Sequence, residues 1–92
     1  MDHLSLLTPT DLQQRFAAAI RQGRRERKLS RAALSRISTV PASTIKRFET
    51  TGQISLRQFL MLWQCVDRLN RLAEVCEPPP RLPTSIDEVL AS

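Results

Sequence analysis

The run from Leu29 to Glu49, LSRAALSRISTVPASTIKRFE, constrains the fold more than any other part of the chain. Apolar residues recur at helical spacing on both sides of one interruption, Ser38-Thr39-Val40-Pro41. Ser30 suits the N-cap of a short helix over about residues 31–37, buried through Ala33, Leu34 and Ile37. Pro41 lacks the N–H that a helix interior requires, but it fits the first position of a following helix. The pattern places that second helix at about 42–50, with Ile45 and Phe48 turned inward. Thr50-Thr51-Gly52 stops it, because glycine accepts the left-handed conformation that ends many helices.

The rest of the chain reads as further helices. Thr10-Asp11-Leu12-Gln13 has the form of a capping box, with Pro9 before it, so a first helix is expected to start there. Leu12, Phe16, Ala19, Ile20 and Gly23 line one face of it. Gly23 on that face costs roughly 1 kcal/mol of helicity relative to alanine, and a close approach by another helix would compensate. Ser55-Leu56-Arg57-Gln58 is a second capping box and opens a fourth helix. Leu56, Phe59, Leu60, Trp63 and Val66 form its stripe, and Met61, Leu62 and Cys65 widen it. A helix apolar over so much of its surface is either central or buries a second face at an interface. Leu69, Leu72, Ala73 and Cys76 suggest a fifth helix starting near Asp67. Pro78-Pro79-Pro80 ends the array, and Arg81-Leu82-Pro83 should be extended. Ser85-Ile86-Asp87-Glu88, followed by Val89 and Leu90, is a third capping box on a segment too short to be helical alone. Strand alternation and internal repeats are absent from the sequence. The expected class is therefore all-α, with five helices and a short Pro-rich C-terminal tail. Its divisions are an N-terminal arm over 1–10, a helical domain over 11–76 and the tail over 77–92.

Charge is unevenly spread. Residues 1–58 carry 11 Lys/Arg against 4 Asp/Glu, a net +7, and residues 59–92 carry 3 against 5, a net −2. A basic front and a mildly acidic back suit two surfaces with different partners, and clustered basic charge is the footprint of phosphate binding or simply a solvated face. The two cysteines, Cys65 and Cys76, form no metal-ligand spacing with each other or with His3. Both sit in apolar helical patterns and read as small core residues in a reduced compartment. Leu4, Leu6 and Leu7 are too short a run for a signal peptide, and no stretch reaches the length of a membrane span. A cytoplasmic location is expected. One histidine, no paired carboxylates and no glycine-rich phosphate loop argue against an enzyme and against a bound cofactor.

The spacing around the interruption is that of two crossed helices, a common way to place one helix in the major groove of DNA. Ala42, Ser43 and Thr44 are small, so the start of the second helix could approach base edges. Lys46 lies one turn on from Ser43, on the same face, and Arg47 is adjacent and longer. Lysine and arginine can pair with guanine, and serine with several bases. Arg31 and Thr44 are candidates for the phosphate backbone, and Arg24, Arg25 and Lys28 for the same role with some of them only solvated. A helical bundle with a polar third helix and no DNA partner is the plain alternative.

Residues 29–52, LSRAALSRISTVPASTIKRFETTG, resemble the Xre/Cro-repressor family of helix-turn-helix domains without a gap, through Leu29, Leu34, Val40, Ser43-Thr44-Ile45, Arg47 and Glu49. The five-helix pattern over 11–76 is similar to the family's whole lambda-repressor-like domain. FETTGQISLRQFLML, residues 48–62, resembles more narrowly the short HipB-like antitoxins encoded beside HipA-like Ser/Thr kinases, and SIDEVLA resembles tails in that group. The resemblance implies a homodimeric repressor on near-palindromic double-stranded operator DNA, with a HipA-like kinase toxin as partner. The base-reading positions it implies are Pro41, Ala42, Ser43, Lys46 and Arg47. Pro41 and Ala42 could offer only apolar contact, for instance to a thymine methyl. Two departures bear on the turn. Thr39 stands where the family commonly has glycine, and a β-branched residue would be strained in the left-handed conformation frequent there. Ser38 stands where the family tends to be apolar, and Ile37 is expected to take over that packing. Two other functions fit the same residues: a stand-alone repressor of this type, and a helical adaptor that binds protein without DNA.

Overall fold

A computed structural model describes residues 6–79, all of whose regular structure is helical. The elements are α1 (Pro9–Glu26), α2 (Arg31–Ser38), α3 (Ala42–Thr51), α4 (Leu56–Val66) and α5 (Leu69–Ala73), the last continued by a 3₁₀ turn over Glu74–Cys76. The tail from residue 80, including Ser85-Ile86-Asp87-Glu88, lies outside the described residues.

Helix α1 starts two residues earlier than the Thr10 box predicts. Thr8 is the N-cap: its hydroxyl accepts the Asp11 N–H at 3.0 Å, and its own N–H donates to the Asp11 carboxylate at 3.1 Å. Thr8-Pro9-Thr10-Asp11 is an overlapping frame of the same motif, and it wins because it puts Pro9 in the first turn, where the missing N–H costs nothing. The far end of α3 is closed from α1. Gln13 Nε2 donates to the Gly52 carbonyl at 3.2 Å and Gln14 Nε2 to the Thr51 carbonyl at 3.1 Å. Carbonyls that a helix C-terminus leaves without intrahelical partners are thereby satisfied by another helix.

Ile20, Leu34, Val40, Ile45, Phe48 and Leu62 are fully buried, and Ala17, Phe59, Trp63 and Val66 complete the core. Helix α1 packs on α3 and α4, and α2 packs on the same two. Phe59 is the aromatic hub, with ring centroids 4.8 Å from Phe16, 5.9 Å from Phe48 and 5.8 Å from Trp63. These are the tilted and edge-on arrangements that aromatic quadrupoles favour. At Gly23 α4 approaches α1 closely: a Cβ there would lie 2.7 Å from the Val66 Cβ. The expected compensation for its low helix propensity is therefore the packing of α4.

Several expected core positions are not core. Ile37 is 59% exposed and Leu56 72% exposed, and Leu12, Ala19 and Cys76 also face outward. For Ile37 the reason lies in the turn: Ser38 is itself buried, and its hydroxyl accepts the Val40 N–H at 3.1 Å, so the site needs no apolar substitute. Leu56 is the first residue of α4, ahead of the turns that reach the core. Cys65 is half-buried, and its thiol is pushed up by desolvation. The fifth helix starts at Leu69 rather than near Asp67, because Asp67 ends α4 in an extended conformation. Only Leu72 of α5 and the turn after it reaches the core, and Arg71 instead lies over the Trp63 ring, 5.7 Å from its centroid.

Candidate functional site

Helix α3 is aimed by the turn before it. Thr39 adopts φ 65°, ψ 8°, the left-handed conformation, and its N–H donates to the Ser35 carbonyl at 2.8 Å. The turn thus keeps the conformation that usually calls for glycine, with a β-branched residue bearing the strain. Pro41 precedes α3 without a side-chain cap. The N–H groups of the first turn are therefore left without a capping side chain.

Along α3, Ile45, Phe48 and Glu49 are buried, while Ser43, Lys46 and Arg47 are exposed. Ala42 and Thr44 are half-buried and Pro41 is exposed. The side chains of Ser43 and Lys46 have no hydrogen-bond partner among the described residues. Arg47 is engaged: its Nη2 donates to Gln53 Oε1 at 2.7 Å, in the loop after α3. Ser43 and Lys46 thus remain together as the unengaged polar pair on the outer face, and Arg47 is drawn toward the helix C-terminus.

The basic residues around α1 and α2 divide into two kinds. Arg24, expected among the phosphate contacts, is buried at 8% exposure and is removed from that set. Its Nε and Nη2 hold the Glu49 carboxylate side-on at 2.8 and 2.9 Å, and Nη1 donates to the Leu29 carbonyl at 3.0 Å. Arg31 donates from Nε to the same carboxylate at 3.0 Å and is partly exposed, so one edge of its guanidinium is structural. Arg25 and Lys28 are exposed, Lys28 with φ 56° at the α1–α2 junction. Arg36 and Arg57 are exposed as well.

Glu49, named in the sequence only among the residues that carry the resemblance, is the buried carboxylate that holds these two arginines. Burial alone would raise its pKa, but the bonds and charges of Arg24 and Arg31 outweigh that and hold it below the usual carboxylate range. Glu49 in turn raises Arg24. A signal was present: Ile45, Phe48 and Glu49 fall at i, i+3 and i+4, so a carboxylate on the inward stripe required a cation. Gln53 carries no such signal, since its role depends on the path of the loop. Among the described residues no group of His, Cys, Asp and Glu could hold a metal ion, and no helix is long and apolar enough to cross a membrane.

What the geometry defines is a small helical domain that projects one polar, partly basic helix face. Comparison of the chain with protein-family models, with curated proteins and with solved structures finds no match.

Proposed function

We propose that this protein is a sequence-specific DNA-binding repressor that acts as a homodimer on near-palindromic operator DNA. The observation that carries this reading is the outer face of α3, where Ser43 and Lys46 stand exposed beside the small residues Ala42 and Thr44, their side chains without a hydrogen-bond partner among the described residues. A helix entering the major groove needs a narrow leading end and donors one turn apart, and this face supplies both. In this reading Ser43 and Lys46 address base edges, Pro41 and Ala42 make apolar contact, and Arg25, Lys28, Thr44 and the open edge of Arg31 meet phosphates. Two copies would present their α3 helices to successive major grooves about 34 Å apart.

The finer proposal is that the operon is of the toxin–antitoxin type, with a HipA-like kinase as second partner. It rests on the resemblance of residues 48–62 and of the closing SIDEVLA segment in the sequence. Co-purification with a kinase-like protein separates an antitoxin from a stand-alone repressor.

The test is footprinting on the DNA upstream of the protein's own gene, with affinity measured at several salt concentrations. Binding should weaken steeply with salt, because each phosphate contact releases counterions. Lys46→Ala should cost about 1–3 kcal/mol per half-site and relax preference at one base pair of each. A salt-independent or undetectable interaction with DNA would leave a helical adaptor as the reading.

A further inference from the structure

The loop after α3 is fastened at several points, and its one exposed polar side chain in contact with α3 holds an arginine. Gln53 Oε1 accepts from Arg47 Nη2 at 2.7 Å, and the Gln53 N–H donates to the Thr51 hydroxyl at 3.1 Å. That hydroxyl donates onward to the Arg47 carbonyl at 2.7 Å, closing a ring of contacts around one residue. The two carbonyls just before Gln53, those of Thr51 and Gly52, are tied to α1 by Gln14 and Gln13. Gly52 itself is left-handed at φ 79°, and a Cβ on it would meet Gln13 at 3.2 Å, so the path of the loop is fixed. Arg47 therefore does not hang freely from α3. A long helical side chain ordinarily leans toward the helix N-terminus, which here is the end that would enter the groove. Arg47 is held at the opposite end.

We propose that Gln53 is a positioning residue that withholds Arg47 from base edges and sets its guanidinium against the DNA backbone. The inference rests on the DNA-binding reading above and narrows it: sequence is read by Ser43 and Lys46, and Arg47 supplies charge without base preference. An arginine free to swing would instead take guanine bidentately and add a preference of its own. The exposed Gln53–Arg47 bond is thus a determinant of which operator the protein selects.

The experiment is selection of preferred sites from a randomised duplex pool by the full chain, followed by affinities across salt. It compares the wild type with Arg47→Ala, Gln53→Ala and Gln53→Glu. Arg47→Ala should weaken all duplexes alike, by roughly tenfold per half-site at 0.1 M salt, lower the salt slope by about one per half-site, and leave the selected consensus unchanged. Gln53→Ala should gain a guanine preference at one position of each half-site. Gln53→Glu keeps the acceptor and should keep the wild-type consensus. Both residues are exposed, so unchanged circular dichroism and melting are expected. Loss of one base preference in Arg47→Ala, or an unaltered consensus in Gln53→Ala, would overturn the assignment while leaving the DNA-binding reading intact. Absence of wild-type binding to every duplex would sink that reading and this inference together.

Discussion

Glu49 joins three helices through one carboxylate: α1 through Arg24, α2 through Arg31, and α3 on which it sits. An ion held this deep is stable only while its partners remain, since removing one side of a buried pair leaves the other charge uncompensated. Glu49→Gln should therefore lower unfolding free energy by about 3 kcal/mol at pH 7, the lower end for such losses because the amide oxygen still accepts one bond. Urea titration measures it. The pH dependence follows from the lowered pKa. An unfolded glutamate titrates near about 4.3, and the folded one titrates below that. The stabilisation is complete above the unfolded value and is lost as pH falls through the folded one. Wild-type stability should thus drop below about pH 4, and Glu49→Gln should lose part of that acid slope. Thr39 offers the opposite effect. A non-glycine residue in the left-handed region costs about 1–2 kcal/mol, and glycine returns part of that gain through the unfolded chain. Thr39→Gly should raise stability by about 0.5–1 kcal/mol, read as a higher melting midpoint. An unchanged midpoint would mean that the turn carries no strain.

At the scale of elements, the approach of α4 to α1 leaves no room for a side chain at Gly23. Alanine is the better helix former at Gly23 by about 1 kcal/mol, so an exposed glycine would gain from the change. Here the atom in the way is the Cβ of Val66, fixed to its own backbone, so no rotamer relieves the clash and α4 has to move. Gly23→Ala should destabilise by about 1–3 kcal/mol, with a changed near-ultraviolet signal from Trp63; a gain in stability would exclude the contact. This contact was legible in the sequence because a glycine on an apolar stripe asks for a neighbour. The same held for the Ser30, Ser55 and Gly52 boundaries, which are set by local hydrogen bonds and backbone conformation. Periodicity misplaced Ile37 and Leu56, because apolar spacing marks a face but not how far along a helix the neighbours extend. Clustered charge offered Arg24 among the phosphate candidates, because a charge pattern does not show which arginine in a cluster meets a carboxylate 25 residues away. The outer face of α3 was legible as a set of exposed positions. The restraint of Arg47 was not, since it arises from a loop whose path is fixed by α1.

For the whole molecule, the proposed dimer must use a surface that leaves both α3 helices free. Leu56, Leu60, Met61 and Leu69, with Arg57 and Gln64, line a shallow depression formed by α4 and the start of α5. Leu56 is 72% and Leu69 40% exposed, so changing them should cost the monomer little. If this face joins two copies, each half-site is bound at the effective concentration set by its neighbour, and losing that linkage weakens operator binding by on the order of 10²-fold. Leu56→Glu should then sediment as a monomer with unchanged helicity. Its affinity for the full operator should fall to that for a half-site, and its salt slope should roughly halve because half the phosphate contacts go with the second copy. The wild type should melt higher as protein concentration rises, since dissociation accompanies unfolding, and the variant should show no such trend. A Leu56→Glu protein that still sediments as a dimer would move the contact off this face. A wild type that is monomeric on DNA and protects a single half-site would remove the two-fold arrangement, while the base contacts of Ser43 and Lys46 could still be tested on that half-site alone.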